Sequence, residues 1–245
     1  MSNHTTFRIG GPAEAYVCPV NEEELGKVIC LCREHGIPWR VLGNGSNLLV
    51  SDRGIKGVVI AMEGNWCYAG AEGSVIRAGA GELLGRVARV ALEHGLTGME
   101  FAAGIPGSVG GALVMNAGAY GSEIKNILKS ARVMTNEGEV LELSRDELEL
   151  GYRTSCIPGR GYTVLEASFQ LEPGDGAAIE ARMKELAARR REKQPLEYPS
   201  AGSTFKRPQG YFAGKLIEDA GLRGYGMGGA RVSEKHCGFV INGGN

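Results

Sequence analysis

Apolar residues recur at helical spacing in three segments of the chain and at strand spacing between them. The first helix is capped by Asn21 and ended by Gly36, and its apolar face consists of Leu25, Val28, Ile29 and Cys32. A second amphipathic helix is predicted over 82–94, and a long third one begins after Asp175 and ends near Gln194. Strands are predicted at 14–20, 39–42, 48–50, 58–61, 74–78, 130–135, 139–143 and 162–171.

The order of these elements predicts three regions in the chain. Strand, helix and strand succeed one another over 1–65, which indicates a small first lobe. A second lobe covers 66–196, and within it Ser144 and Glu147 have the spacing of a capping box, which predicts a short helix ending at Gly151. A glycine-rich third region covers 197–245. Helices and strands are mixed throughout, so we expect an α+β protein.

Composition adds one strong signal, the abundance of glycine. The chain has 39 glycines in 245 residues, about twice the usual share, without the period of collagen. Aromatic residues make up only 7%. Glycine at this density indicates a backbone that turns sharply or approaches a ligand closely. The formal net charge is −1, which predicts neither nucleic acid nor an anionic membrane as a partner.

The segment 101–122 carries no charge over 22 residues, which is long enough to span a bilayer. It nevertheless contains Pro106, Asn116 and six glycines. A membrane helix does not normally combine so many helix-breaking residues. We therefore predict buried loops that contact a ligand through their backbone, and no membrane association.

The six cysteines show neither a disulfide framework nor a CxxC pair, and the N-terminus lacks the apolar core of a signal peptide. Reduced thiols in the cytoplasm are the simplest interpretation. The four histidines match no zinc-binding spacing, so no metal site is predicted.

Two glycine-rich loops are candidate phosphate sites, because successive small residues let several backbone N–H groups converge on an anion. The first is GNGSN at 43–47, and the second is GIPGSVGG at 104–111, followed by NAGAYG. A dinucleotide fingerprint would need glycine where Leu48 stands, and Gly210 and Lys215 miss the P-loop spacing. A hairpin turn or close packing of a helix on a strand would explain either loop alone, but explains both together less well.

Five further motifs follow one another along the chain: LGNGSNLLVSD, EFAAGIPGSVGGALVMNAGAYG, YRTS, PSAGSTFKRP and ARVSEKHCGFVIN. In these motifs and in their order the chain resembles the UDP-N-acetylenolpyruvoylglucosamine reductases. The resemblance implies a two-lobed FAD-binding domain of the vanillyl-alcohol-oxidase type and a small α+β substrate domain. The chain resembles the shorter subclass of this family, which lacks the additional substrate-covering loop. The FAD residues implied are Gly43, Asn44, Gly45, Ser46, Asn47, Leu48, Gly104, Pro106, Gly107, Ser108, Val109, Gly110, Gly111, Asn116 and Gly118.

The flavin is expected to be noncovalent, because no histidine or cysteine lies within or beside GNGSN. A valine at Gly45 is expected to displace flavin while the fold largely survives.

The resemblance also implies the chemistry, in which NADPH supplies a hydride that reaches C3 of the enolpyruvyl group of UDP-N-acetylglucosamine enolpyruvate. Arg153 matches the family's catalytic arginine, whose planar fork can hold the substrate carboxylate as negative charge develops. Ser203 matches the serine that donates a proton to C2. Lys206, Arg207 and Lys215 are candidate ligands of the UDP diphosphate. The product is UDP-N-acetylmuramate, a precursor of peptidoglycan.

The family's third catalytic group is a glutamate near the C-terminus, and this sequence stops at Asn245 before that stretch. The expectation is a chain truncated within its last domain, less stable and less active than a longer form. Two alternatives stay open: a flavin oxidase of the same fold acting on another substrate, and a module that binds FAD or a nucleotide sugar without turnover.

Overall fold

A computed structural model describes residues 1–244 of the chain. Its α-helices are α1 (Glu22–Glu34), α2 (Leu84–Glu93), α3 (Val109–Val114), α4 (Ile124–Ile127), α5 (Gly176–Lys193) and α6 (Ala213–Asp219). Short 3₁₀ helices cover Ser2–His4, Gly64–Trp66 and Glu100–Ala102.

The strands are β1 (Ala13–Val17), β2 (Trp39–Leu42), β3 (Ile55–Ala61), β4 (Ala69–Glu72), β5 (Val75–Gly79), β6 (Leu96–Thr97), β7 (Gly118–Ala119), β8 (Ser122–Glu123), β9 (Leu128–Met134), β10 (Val140–Ser144), β11 (Thr163–Gln170), β12 (Glu172–Pro173), β13 (Ser200–Ser203), β14 (Gly226–Met227), β15 (Ala230–Val232) and β16 (Phe239–Asn242).

The chain divides into two compact units. The small unit consists of Met1–Pro12, Gly45–Ile55 and Ala188–Asn245, and the large unit of Ala13–Asn44 and Lys56–Ala187. Both units combine helices with sheets, so the α+β prediction is confirmed.

The large unit contains a three-stranded sheet, β1-β3-β2, and a five-stranded sheet, β10-β9-β11-β5-β4. Strands β2 and β3 run parallel, and the pairs of the five-stranded sheet are antiparallel. One continuous apolar core belongs to this unit and includes fully buried Leu25, Leu84, Leu113 and Phe169. Burial of this apolar area is the main source of stability for the unit.

The first helix forms for the local reasons that its sequence suggests. The Asn21 side chain accepts a hydrogen bond from the N–H of Glu24 at 2.9 Å, and the Glu24 carboxylate accepts one from the N–H of Val20 at 2.9 Å. Gly36 ends the helix with φ of 62°, a conformation that glycine adopts without strain. The predicted N-cap at Asn21 and the predicted end of α1 at Gly36 are both confirmed.

Two predicted elements are wrong. Residues 48–50 are irregular instead of a strand, although Val50 is buried. At Ser144 the capping-box hydrogen bonds do form, with the Glu147 carboxylate 2.8 Å from the N–H of Ser144. The chain nevertheless makes only a turn there, because Glu149 takes φ of 51° and cannot continue a helix.

The small unit is built on a four-stranded sheet in the order β13-β16-β15-β14, with antiparallel pairs. Its N-terminal segment joins this sheet through the Thr6 hydroxyl, which donates to the carbonyl of Ser200 at 2.7 Å. The Asn242 side chain donates to the carbonyl of Phe7 at 3.2 Å. The first and last segments of the sequence therefore pack together in this unit.

The charge-free segment 101–122 is broken into a 3₁₀ turn, the short helix α3 and the β7–β8 hairpin. Within residues 1–244, no helix has the length and hydropathy needed to cross a membrane.

Candidate active site

The start of the first glycine loop packs against the second glycine loop inside the large unit. The Asn44 side chain donates a hydrogen bond to the carbonyl of Pro106 at 2.6 Å. A β-carbon built on Gly43 would lie 2.0 Å from the hydroxyl of Ser108. Glycine is required at Gly43 because the N-cap side chain of α3 occupies that space. The two loops expected to contact one ligand are thus joined at this point.

A run of backbone N–H groups in these loops has no partner in the protein. Over residues 1–244, the N–H groups of 44–47 donate no hydrogen bond to a protein acceptor, and the same holds for Gly107 and Ser108. Gly45 and Ser108 are nevertheless buried. Buried N–H groups normally find an acceptor, and converging N–H groups favour an anion. Within the large unit, where Asn44 is hydrogen-bonded to Pro106, the N–H groups of Asn44, Gly107 and Ser108 fit the diphosphate of FAD.

The glycines of the two loops fall into two groups by what surrounds them. At Gly45, Gly110 and Gly118, a β-carbon would lie 2.1, 3.2 and 2.7 Å from protein atoms, namely His4 O, Ala80 Cβ and Ser122 O. These glycines permit close packing of the chain on itself. A valine at Gly45 would therefore disturb the fold, contrary to the expectation that the fold survives it.

Gly107 and Gly111 belong to the second group. A β-carbon would lie 3.8 Å from Ile105 at Gly107 and 3.4 Å from the Ser108 hydroxyl at Gly111, both ordinary contact distances. Neither residue has a positive φ. Neither packing nor backbone conformation explains glycine at these two positions, whereas a ligand lying against the backbone does.

The remaining predicted cofactor residues differ in how their polar groups are used. The N–H of Val109 donates to Glu82 O and that of Gly110 to Ala80 O, both at 2.8 Å, so these two groups are used within the protein. Gly104 lies in the turn after the 3₁₀ helix Glu100–Ala102. Ser46 is half-buried, and Asn47 and Leu48 are exposed.

Arg153 lies in a tight turn of the large unit whose backbone is strained. Gly151 and Thr154 exchange two hydrogen bonds across it, at 3.1 and 3.3 Å, and Arg153 itself takes φ of 55°. Of the five non-glycine residues with positive φ in residues 1–244, three are Asn116, Tyr120 and Arg153. Such strain concentrates at functional sites, where the surroundings impose it. The half-buried guanidinium lies 5.8 Å from the ring centre of Tyr152.

Two side chains connect this turn to the segment that follows the glycine-rich loop. Buried Asn116 donates to the carbonyl of Gly151 at 3.1 Å and accepts from the N–H of Lys125 at 2.9 Å. The Ser155 hydroxyl donates to the carbonyl of Val114 at 2.9 Å. Asn116 was predicted as a cofactor residue, and the structure shows its amide in contact with the turn of Arg153. Ser155 was missed, although it is the last residue of the YRTS motif.

Ser203 lies at the end of β13 in the small unit, after a β-bulge. Ser200 pairs with Ile241 and Ser203 with Phe239, so β13 has one residue more than its partner over this stretch. Gly202 takes φ of 80° and absorbs the irregularity. The Ser203 hydroxyl is exposed and lies 3.5 Å from the carbonyl of Gly238, a long hydrogen bond. A β-carbon at Gly238 would lie 3.0 Å from this hydroxyl, so glycine leaves the space in which it sits.

The three predicted substrate-binding cations are all exposed and lie in the small unit. The guanidinium of Arg207 lies 4.5 Å from the ring centre of Phe212. Lys215 pairs with Asp219 at 2.6 Å, and the hydrogen bond to that carboxylate raises the pKa of the lysine. Such an exposed pair contributes little stability, so an incoming phosphate can compete for the ammonium group. No group of three or more metal-binding side chains occurs within residues 1–244.

Comparison with known families gives two matches that together cover most of the chain. Residues 13–144 match the FAD binding domain, and residues 194–245 match the C-terminal domain of UDP-N-acetylenolpyruvoylglucosamine reductase.

Among curated relatives, the reductase of this name from Lachnoclostridium phytofermentans is 56% identical over 249 residues, covering 100% of this chain and 80% of its own length. The one from Clostridium perfringens strain SM101 is 55% identical, covering 99% of this chain and 79% of its own length. The crystal structure of UDP-N-acetylenolpyruvylglucosamine reductase (MurB) from Thermus caldophilus superposes with a TM-score of 0.88 at 38% identity. The match covers 100% of this chain and 86% of that one.

The fold and the matched domain define a FAD-binding oxidoreductase. More specifically, the chain belongs to the UDP-N-acetylenolpyruvoylglucosamine reductase family, the flavoenzymes of this step in peptidoglycan synthesis. The predictions of family, fold class, reductase activity and dependence on FAD and NADPH are confirmed.

Proposed function

We propose that this chain reduces the enolpyruvyl group of UDP-N-acetylglucosamine enolpyruvate to give UDP-N-acetylmuramate in the cytoplasm, with Arg153 and Ser203 as catalytic residues. Membership of the family supports the reaction. Six free cysteines support a reducing compartment. The net charge of −1 gives no indication of nucleic acid as a partner.

The FAD diphosphate would be held in the large unit by the N–H groups of Asn44, Gly107 and Ser108, which donate to no protein acceptor within residues 1–244, and the lack of side chains at Gly107 and Gly111 would let the cofactor approach the backbone. When bound, FAD supplies the relay that passes a hydride from NADPH to C3 of the enolpyruvyl group. The absence of cysteine and histidine from GNGSN and its flanks supports noncovalent binding. The loops act by orienting the cofactor and by excluding water from its diphosphate.

Arg153 would bind the substrate carboxylate through both arms of its guanidinium. Hydride addition at C3 places negative charge at C2, from where it spreads into this carboxylate. A cation fixed in advance lowers the energy of that charge without having to reorganise during the reaction. The strained turn supports this role, because it holds the backbone of Arg153 in one conformation.

Ser203 would donate its proton to C2 and complete the saturated lactyl ether. A hydroxyl is a weak acid, and it must therefore lie within hydrogen-bonding distance of the carbon that becomes basic. Its exposure and its long bond to Gly238 leave the hydroxyl available for such a contact. The UDP diphosphate would be bound by Lys206, Arg207 and Lys215. The division of the chain into the regions 1–65, 66–196 and 197–245 stays a prediction.

The observation that supports the proposal most is the strained turn at Arg153, which is hydrogen-bonded through Gly151 and Ser155 to the segment following the second glycine loop. The test is to purify the protein and record flavin absorbance without oxygen. We expect NADPH to bleach the flavin and UDP-N-acetylglucosamine enolpyruvate to restore its colour. An oxidase would instead consume oxygen when air is admitted with its own substrate, and a binding module would not bleach; either result would contradict the proposal.

A further inference from the structure

The turn that carries Arg153 needs stabilising contacts with residues outside it, because its own backbone does not favour the conformation that it adopts. Arg153 takes φ of 55°, a left-handed conformation that is unfavourable for any residue with a β-carbon. The two hydrogen bonds between Gly151 and Thr154 close the turn but do not attach it to the rest of the unit. Some neighbouring group has to fix its position.

Asn116 meets this requirement on one side of the turn. Only 2% of this residue is exposed, and both ends of its amide are used. The side-chain N–H₂ donates to Gly151 O at 3.1 Å, while the oxygen accepts from the N–H of Lys125 at 2.9 Å. An amide offers a donor and an acceptor on two separate atoms, which lets the side chain bond to both groups at once. Alanine would remove both bonds and aspartate the donor alone.

Ser155 provides a second attachment on the other side of Arg153. Its hydroxyl donates to the carbonyl of Val114, the last residue of α3, at 2.9 Å. Asn116 follows the same helix two residues later. Both attachments therefore connect the turn to the C-terminal end of α3, the helix whose first turn contains the last residues of the glycine-rich loop.

We propose that Asn116, assisted by Ser155, is a positioning residue for Arg153: the two side chains set where the guanidinium lies relative to the glycine-rich loop at the start of α3. This inference rests on the proposed function, in which Arg153 binds the substrate carboxylate. It assigns to the Asn116 amide a role in the substrate half-reaction, although its sequence motif suggests contact with the cofactor.

The test compares Asn116→Ala and Ser155→Ala with Asn126→Ala. Asn126 is an exposed asparagine nearby whose only described side-chain hydrogen bond is a 3.4 Å contact with Ser122. Hydrogen exchange of the peptide 148–157 reports on the turn independently of activity. Both variants should exchange faster there than the wild type, while the control should not. Flavin content should be unchanged in all three.

Rapid-mixing kinetics then separate the two half-reactions. Bleaching by NADPH should stay within about threefold of the wild type, whereas return of colour with the enolpyruvyl sugar should slow by about 10- to 100-fold, since small misplacements of a catalytic group have effects of this size. In the Arg153→Ala background, Asn116→Ala should slow that step by less than about twofold, because residues that act through one another are not additive.

Several results would overturn the inference. Unchanged exchange over 148–157 in both variants would show that the side chains do not hold the turn. Additive effects of Asn116→Ala and Arg153→Ala would show that Asn116 acts on its own account. If Asn116→Ala does not fold, Ser155→Ala decides by the same criteria. If Arg153→Ala leaves the substrate step unchanged, the proposed role of Arg153 is wrong. The positioning role of Asn116 is then rejected as well, even if hydrogen exchange over 148–157 becomes faster in the variants.

Discussion

The turn of Arg153 and the strand of Ser203 are held to different degrees by their surroundings. The turn of Arg153 is tied down by a buried asparagine and a serine, in a unit with a continuous apolar core. Ser203 is the exposed last residue of the half-buried strand β13 and follows a bulge, and the described hydrogen bond of its hydroxyl is long. A group that stabilises charge benefits from being fixed in advance. A proton donor needs to remain free enough to meet the substrate carbon. The comparison predicts that substitutions of the residues that contact the Arg153 turn slow the reaction, whereas substitutions of the residues around Ser203 do not.

The largest effect should come from Ser203→Ala. Loss of a positioned proton donor typically slows a reaction by about 10²–10⁴-fold, so the return of flavin colour with the enolpyruvyl sugar should slow by that factor. Bleaching by NADPH should be nearly unaffected, and thermal stability should hardly change, because the hydrogen bond described for the hydroxyl within residues 1–244 is the long one to Gly238. Ser200→Ala on the same strand is the control, since its described hydrogen bonds use main-chain groups. Equal slowing of both half-reactions would mean that Ser203 has a structural role.

Arg153→Ala should slow the same step by about 10²–10³-fold, the usual effect of removing one fixed electrostatic partner. Arg153→Lys retains the charge but loses the planar fork, so it should recover only part of the rate. Arg145→Ala is the matched control, because Arg145 is exposed and pairs with Asp146 at 3.1 Å. A lysine variant as fast as the wild type would show that the fork is not used.

The difference in packing between the units can be measured by replacing one leucine with alanine in each unit. Leu25 on α1 is fully buried in the large unit, whereas Leu216 on α6 is 44% exposed in the small unit. Leu25→Ala should lower the free energy of unfolding by about 2–5 kcal/mol. Leu216→Ala should change it by less than about 0.5 kcal/mol. Chemical denaturation followed by circular dichroism makes the measurement, and equal losses would contradict the comparison.

The smallest effect should come from Gly111→Asp, which tests the cofactor loop. Aspartate fits at this position, and near the start of α3 it should not destabilise the apoprotein, because a negative charge there favours the helix dipole. The same charge should repel the FAD diphosphate and weaken flavin binding by about ten- to a hundredfold. Gly111→Asn has the same shape without the charge and should bind flavin more tightly than the aspartate variant. Equal affinities of the two would place the diphosphate elsewhere.

Local signals in the sequence predicted local structure well. Asn21, Glu24 and Gly36 fix the two ends of α1 through contacts within a few residues, and these were predictable. The capping box at Ser144 also formed, but the helix after it did not, because Glu149 takes a positive φ that the sequence pattern does not reveal. Residues 48–50 have the apolar character of a strand but pair with no strand in the part of the chain that the structure describes.

The candidate site was predictable as a set of motifs but not as a set of roles. Gly45 and Gly111 stand in similar glycine-rich loops, yet a β-carbon at Gly45 would collide with the main chain of His4, whereas one at Gly111 would make only an ordinary contact with Ser108. The motif around Asn116 predicts a ligand-binding loop, whereas its amide donates a hydrogen bond to Gly151 in the Arg153 turn, 35 residues later in the sequence. Such distinctions depend on contacts between distant segments, which single motifs do not encode.

The central claim is that this chain adds a hydride to C3 and a proton to C2 of the enolpyruvyl group. The most direct test is a single turnover in D₂O without oxygen, with NADPH as the reductant and the product analysed by NMR and mass spectrometry. We predict UDP-N-acetylmuramate with deuterium at C2, formed at the rate at which the flavin colour returns, and greatly slowed by Ser203→Ala. Recovery of the enolpyruvyl sugar unchanged, with colour returning only when air is admitted, would contradict the account.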